Sequence, residues 1–127
     1  MGSREEDILR VLNEDLMPLE DIHACMVAQR GLEGIVPLTE DFKREVVGIW
    51  EVLRETMDDL FNVVAKYTEY GLDKVYFELG DFDVMFFILP GTDNALVAIV
   101  PALANRGLLE VELENARRRI IKILGED

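Results

Sequence analysis

The chain has 127 residues, half of them apolar, which is enough for one folded domain with one core and too little for two. It carries 26 acidic against 13 basic residues, a formal net charge of −13. Because this charge repels phosphate backbones and anionic lipid, we expect neither a nucleic-acid nor a membrane partner. The only cysteine, Cys25, excludes a disulfide within the chain and favours a cytoplasmic location.

The N-terminal third predicts a helix and a hairpin. Ser3 and Glu6 form a capping box, and apolar residues at helical spacing predict a first helix over residues 4–16. The nearly continuous apolar run at 21–30 predicts a buried strand, and the glycine-rich stretch 31–34 predicts a hairpin loop. A second strand is expected at 35–38, at a sheet edge, because Pro37 has no N–H for a ladder.

A long amphipathic helix is predicted next. Thr39 is suited to cap it, apolar residues recur at threes and fours from 40 to 69, and Gly71 ends it. Its apolar stripe is wider than contact with one sheet requires. The extra width indicates a second packing partner, such as the same helix of another subunit, unless this is simply a wide helix.

Three strands and a helix complete the chain, with strands expected at 73–79, 82–89 and 95–100 and the helix at 108–124. The last two strands are apolar on both faces, so both faces must be covered. The strand at 73–79 alternates in polarity and is expected toward an edge. The predicted fold is therefore a single α+β domain over residues 1–127: three α/β/α layers, with a five-stranded antiparallel sheet between one long helix and two shorter ones.

Residues for catalysis or metal binding are scarce in this sequence. There is one histidine, His23, and one serine, Ser3, and neither a phosphate-binding loop nor a dinucleotide glycine pattern occurs. His23 is expected to be structural, and Cys25 to be a small buried core residue. We therefore predict a protein that is not an enzyme and that uses neither a cofactor nor a metal.

The most specific local pattern follows the last strand. Residues 105–116 read Asn-Arg-Gly-Leu-Leu-Glu-Val-Glu-Leu-Glu-Asn-Ala. This run resembles the Asn-x-Gly-Leu-Leu-x-x-Glu-Leu-x-x-Ala motif of roadblock, or dynein light-chain-type, domains, and residues 83–86 and 95–98 are similar as well. The order of elements is also that of the profilin-like roadblock fold, most like its stand-alone prokaryotic type. The chain departs from the pattern at the first hairpin, where Arg30-Gly31-Leu32-Glu33-Gly34 stands in place of a common Asp-Gly.

This resemblance implies a homodimer in which the third strand pairs with its symmetry mate and the two long helices lie side by side. An alternating edge strand is also a template for pairing, although Lys74 and Glu78 could instead protect the edge. The residues that would form the interface are Ile49, Val52, Thr56, Val63, Val75, Tyr76 and Phe77.

The resemblance further implies a scaffold or signalling protein that binds a small Ras-like GTPase and biases its nucleotide cycle. The alternative is a structural adaptor, a light-chain-like dimerisation module that is indifferent to nucleotide. A small-molecule sensor is a third possibility and would need an apolar pocket. The polar positions implied for partner binding, each of which alone is more typical of a solvated helix face, are Arg44, Glu51, Arg54, Glu55, Asp58, Asp59 and Asn62.

Overall fold

Five antiparallel strands form one sheet that is covered by helices on both faces. The structure, a computed structural model, describes residues 3–125 and, at Leu32, the backbone alone. The order of the strands across the sheet is β2-β1-β5-β4-β3. The elements are α1 (Arg4–Val11, continued by a π-helical turn, Leu12–Leu16), β1 (Ala24–Gln29), β2 (Leu32–Ile35), α2 (Val47–Tyr67), β3 (Lys74–Glu78), β4 (Phe82–Leu89), β5 (Asn94–Pro101) and α3 (Arg106–Leu124).

The central strands β4 and β5 determine the layering. Val84, Phe86 and Val97 point to one face and pack with the buried side of α2. Their neighbours Met85 and Phe87 point to the other face, where α1 and α3 cover them. The predicted three-layer arrangement is therefore confirmed, since each face of a doubly apolar strand has its own helical layer.

The two helices on the second face begin at side-chain caps. The Ser3 hydroxyl accepts a hydrogen bond from the Glu6 N–H at 3.1 Å, as the capping box predicts. The Asn105 side chain accepts from the Leu108 N–H at 3.1 Å. This cap makes α3 begin at Arg106, two residues before the predicted start at Leu108.

The long helix α2 begins later than predicted, and Thr39 is not its cap. Residues 39–46 instead form two 3-10 turns, Thr39–Asp41 and Arg44–Val46. Between them the backbone extends, because Phe42 is buried edge-on against Trp50 and the Lys43 N–H donates to the His23 carbonyl at 3.0 Å. These tertiary contacts outweigh the helical pattern of the segment. The predicted C-terminal signal is confirmed, since Gly71 adopts the left-handed conformation at φ +84°.

The first hairpin is tighter than predicted. The turn is Arg30-Gly31, and β2 occupies Leu32–Ile35, so the expected loop at 31–34 and strand at 35–38 are wrong in register. A bulge lies between the Gln29–Leu32 and Val27–Ile35 pairs. The predicted edge position of the strand is confirmed.

Gly34 lies at the bulge in β2. Glycine is required there because the β1 backbone comes too close to leave room for a side chain. A Cβ at this position would lie 2.3 Å from the Met26 methyl and 2.7 Å from the Val27 carbonyl oxygen. The methyl could move aside, but the carbonyl belongs to the β1 backbone. Only glycine therefore allows the bulge to pack against β1.

We predict that Gly34→Ala lowers the free energy of unfolding by about 1–3 kcal/mol, the usual cost of overpacking. Gly48→Ala is the matched control, because an added Cβ at this exposed position in α2 meets nothing within 4 Å. It should leave stability unchanged or raise it by up to about 1 kcal/mol, through lower backbone entropy of the unfolded chain. Urea denaturation of both variants measures the difference, and equal midpoints would contradict the close-approach account.

Candidate interaction surfaces

One side of α2 exposes an apolar surface to solvent. Trp50, Leu53, Met57, Phe61 and Val64 face the sheet and are buried. Burying such side chains stabilises the fold by about 1.5–3 kcal/mol each. Next to them lies a second set, called here the apolar flank, which includes Val52 at 62% exposure and Val63 at 47%. The apolar flank consists of the predicted Ile49, Val52, Thr56 and Val63, together with Leu60 and Tyr67.

The apolar flank lies on the side of α2 that faces β3. The opposite side of the helix is tied to the β1–β2 hairpin, at the other end of the sheet, so the flank must face the β3 edge. Val75 and Phe77 of β3 are partly buried and pack into the same cluster as Ile49 and Leu60. The structure therefore brings the predicted interface residues of α2 and β3 to one side of the molecule.

The outer edge of β3 carries backbone groups that no strand of the described chain pairs with. The Leu79 N–H donates to the Phe82 carbonyl at 2.8 Å, and the Ile88 N–H donates to the Asp73 carbonyl at 2.8 Å. Odd-numbered residues of β3 thus direct their N–H and C=O groups toward β4. Because these directions alternate in an antiparallel ladder, the outward groups belong to the even residues. These are Lys74, Tyr76 and Glu78.

Tyr76 has its side chain on the face opposite the apolar flank, although its backbone lies at the β3 edge. Its hydroxyl donates to the Glu110 carboxylate at 2.8 Å, and Arg106 lies over the ring at 5.5 Å. Burial and this hydrogen bond raise the pKa of Tyr76 to about 12. Lys74 makes a similar link to α3, with its ammonium 3.0 Å from Glu114. The side chains on this face of β3 therefore fasten the edge strand to α3.

The predicted partner-binding residues lie mainly on the opposite side of α2, called here the polar flank. The Asp58 carboxylate accepts from the Gly31 N–H at 3.0 Å, and the Asn62 side chain accepts from the Arg30 guanidinium at 2.6 Å. These two residues hold the β1–β2 hairpin, whatever else they bind. Exposed members of the same flank are Glu51, Arg54 and Glu55.

The two remaining predicted residues lie apart from this flank. Arg44 is exposed in the 3-10 turn before α2, and Asp59 is exposed on the outer ridge of the helix between the two flanks. The structure therefore divides the predicted partner-binding set among three positions: the polar flank, the outer ridge of α2 and the turn before it.

Sequence reasoning did not identify two features of these surfaces. Leu60 and Tyr67 extend the apolar flank, and their place in the apolar repeat of α2 was a signal for this. The buried carboxylate of Asp83 is bound by the Arg106 guanidinium, a contact that joins β4 to the start of α3. No local spacing indicates that pair, because 23 residues separate its members.

Cys25 and His23, the residues considered for catalysis or metal binding, lie in surroundings that favour a structural role. Cys25 is buried, and burial raises the pKa of its thiol to about 12, so the reactive thiolate is suppressed. His23 packs edge-on against Phe82 at 5.7 Å, and burial and the nearby Lys43 lower its pKa. Among residues 3–125, no group of three or more His, Cys, Asp and Glu side chains is placed to hold a metal ion.

Solved structures with the same architecture include three of MglB. Myxococcus xanthus MglB superposes with a TM-score of 0.70 at 14% identity, covering 98% of this chain and 92% of that one. The chain has a roadblock-type fold. An MglB described as having a tetrameric arrangement gives a TM-score of 0.65 at 13% identity, over 97% and 91% of the two chains. The gliding protein MglB of Thermus thermophilus gives 0.65 at 13% identity, over 97% and 92%.

The fold predicted from the Asn105–Ala116 run is therefore confirmed by structure comparison rather than by sequence comparison. No protein-family model matches the sequence, and a search of curated proteins gives no significant match. Within the described part of this roadblock-type chain, no helix is both long enough and apolar enough to cross a bilayer.

Tyr76→Phe tests the link between β3 and α3. A raised pKa in the folded state means that this stabilisation is present below the ordinary value of 10.0 and is lost as the pH rises through about 12. We expect the variant to lose the latest phenolate absorbance change in an alkaline titration. It should also unfold with about 1 kcal/mol less free energy at neutral pH, because one hydrogen bond is absent.

The control for this prediction is Tyr70→Phe, since Tyr70 is 81% exposed. This variant should keep the late absorbance change and the stability of the parent protein. A late change that survives Tyr76→Phe would contradict the assignment.

Proposed function

We propose that the chain forms a homodimer through the apolar flank of α2 and the outer edge of β3. The observation that carries this proposal is that the two features lie side by side. Pairing of β3 with its symmetry mate would satisfy the outward groups of Lys74, Tyr76 and Glu78. The same arrangement would bring two apolar flanks together and remove Val52 and Val63 from water.

One comparison supports self-association of this fold. One of the MglB structures is described as tetrameric, so this fold is used in assemblies. Within this chain the support is physical, because a monomer would leave both an unpaired strand edge and an apolar helix face in water.

We further propose that the dimer binds a small Ras-like GTPase and favours one of its nucleotide states. The resemblance to roadblock-type domains suggests the class of partner, and the polar flank together with Arg44 and Asp59 supplies a surface for it. Arg44, Glu51, Arg54, Glu55, Asp58, Asp59 and Asn62 together carry four acidic and two basic side chains. Such a surface fits a partner face with excess positive charge.

Regulation by this dimer would be steric and electrostatic. The dimer would bind one conformation of the GTPase switch loops more tightly and so shift the nucleotide equilibrium. The described residues supply no evident catalytic group, so any change in rate would come from positioning the partner's own loops. A nucleotide-indifferent adaptor is the second candidate, because the same dimer could simply join two proteins.

The dimer proposal predicts that the parent protein elutes in size-exclusion chromatography with light scattering at twice the chain mass of 14.5 kDa. The double variant Val52→Glu/Val63→Glu should elute as a folded monomer, because it places like charges face to face at the flank. Both side chains are at least 47% exposed in the monomer, so folding should be unaffected.

Leu103→Glu is the control for the dimer test, since Leu103 is 99% exposed in the loop before α3. It should leave the dimer intact. A parent protein that stays monomeric at high concentration, or a dimer that persists in the double variant, would contradict the proposed interface.

The regulator proposal predicts that immobilised protein captures a small GTPase from native extract in one nucleotide condition only. The two conditions are a non-hydrolysable GTP analogue and GDP, and mass spectrometry identifies the captured proteins. Charge reversal at Glu55 and Asp59, two of the predicted partner-binding residues, should weaken capture, whereas Glu69→Lys, outside that set, should not. Equal capture in both conditions would favour the adaptor, and capture of no GTPase would overturn the regulator.

A further inference from the structure

The sheet has a second open edge at β2, remote from the proposed dimer face. Within the described residues β2 pairs only with β1, so its other side is unpaired. The strand is four residues long and carries the bulge at Gly34. Both features weaken unselective pairing with other strands. A ligand strand would therefore need side-chain contacts in addition to backbone hydrogen bonds.

A groove of about 1010 Å³ lies beside β2 on the α2 face of the sheet. The polar flank of α2 forms one wall, and β2 with residues 36–39 forms the other. Trp50 and Met57 line the apolar part of this groove, while Glu51, Glu55 and Asp58 lie along its polar wall. We call it the α2-side groove.

A second groove, of about 450 Å³, lies beside β2 on the opposite face of the sheet. The first turn of α1 forms one wall, with Glu5, Glu6 and Leu9. Glu33 and Gly34 of β2 line both grooves. We call this one the α1-side groove. The open edge of β2 is thus bordered by a groove on each face of the sheet.

This arrangement suits strand addition. Successive side chains of a strand point to opposite faces of a sheet. A strand that joined β2 would place alternate side chains in the α2-side and α1-side grooves, while its backbone paired with the edge. One groove alone would not indicate strand addition, but two grooves beside one open edge match the geometry of an added strand.

The charge of the grooves selects the ligand. Their linings contain six carboxylates and one guanidinium, that of Arg54. The carboxylates belong to Glu5, Glu6, Glu33, Glu51, Glu55 and Asp58. Because both grooves are acidic, side chains on both faces of the added strand would be basic. Like-charge repulsion opposes the same edge of a second copy of this chain.

We propose that β2 is a docking edge for an extended, lysine- or arginine-rich segment of a partner protein, which adds as a sixth strand and fills both grooves. This surface shares Glu51, Arg54, Glu55 and Asp58 with the polar flank, but it needs neither a GTPase nor the dimer. Backbone hydrogen bonds to β2 and charge attraction to the groove carboxylates together bind the basic strand.

The test is a titration of the ¹⁵N-labelled full chain with the synthetic peptide acetyl-Val-Lys-Lys-Thr-Lys-Lys-Val-amide at about 0.1 M salt, where the screening length is about 10 Å. Saturable shifts should concentrate in the amides of residues 32–36 and 51–58. Two N-methylated forms of the peptide separate strand addition from charge attraction. One carries methyl groups on every second amide, and the other carries them on the intervening amides.

Strand addition predicts that one methylated form no longer binds and that the other binds like the parent peptide, because only alternate amides face β2. Equal binding of all three would overturn the proposal in favour of charge attraction alone. No saturable shift with the parent peptide would overturn it outright. Shifts at residues 32–36 that follow protein concentration without peptide would assign the edge to a second copy and also overturn it.

Protein variants provide an independent test. Glu33→Lys/Glu51→Lys should weaken peptide binding about tenfold, from two reversed surface charges. Glu20→Lys/Glu69→Lys changes the net charge equally at exposed positions outside both grooves and should weaken binding far less. Equal losses would overturn the assignment of the grooves. Neither outcome bears on GTPase capture, so this proposal and the proposed function fail separately.

Discussion

The rest of this structure depends on two strands that are apolar on both faces. β4 and β5 each bury nearly all of their side chains, alternately against α2 and against the α1–α3 pair. Burial on both faces requires a helical layer above and below, so these strands occupy interior positions of the sheet. β1 is likewise buried on both faces and lies between β5 and β2, so β2 and β3 become the two edges. The surfaces proposed for binding follow from this arrangement, because they use the two edges and the outer sides of α2, which the layering leaves open.

The two edges differ in a way that suits different ligands. At β3 the adjoining side of α2 is apolar, and salt bridges and the Tyr76–Glu110 hydrogen bond fasten the strand to α3, so its outer edge is held in place. A firm edge beside an apolar flank suits an identical partner, which brings the same two features. At β2 the adjoining grooves are acidic, which opposes an identical partner and suits a basic one. One sheet can therefore join a second copy at one edge and another protein at the other.

Periodicity predicted the architecture and the edge position of β3, but it did not predict the first hairpin or the start of α2. The edge position of the second strand was predicted from Pro37, which lies outside β2. The register of the hairpin depends on Gly34, whose contact with the Val27 backbone is tertiary and leaves no local signal. The start of α2 depends on Phe42 packing against Trp50, which overrides a helical pattern. Helical spacing did indicate an apolar flank on α2. That this flank lies on the β3 side of the sheet could be seen only from the order of the strands in space.

The central claim is that the outer edge of β3 pairs with a second copy of itself, and amide hydrogen exchange tests it most directly. Pairing predicts that the outward amides of Lys74, Tyr76 and Glu78 exchange at high protein concentration as slowly as the inward amides of Val75 and Phe77. On dilution the outward set should exchange faster while the inward set stays protected. Rapid exchange of the outward amides at every concentration, in a folded chain, would contradict the account.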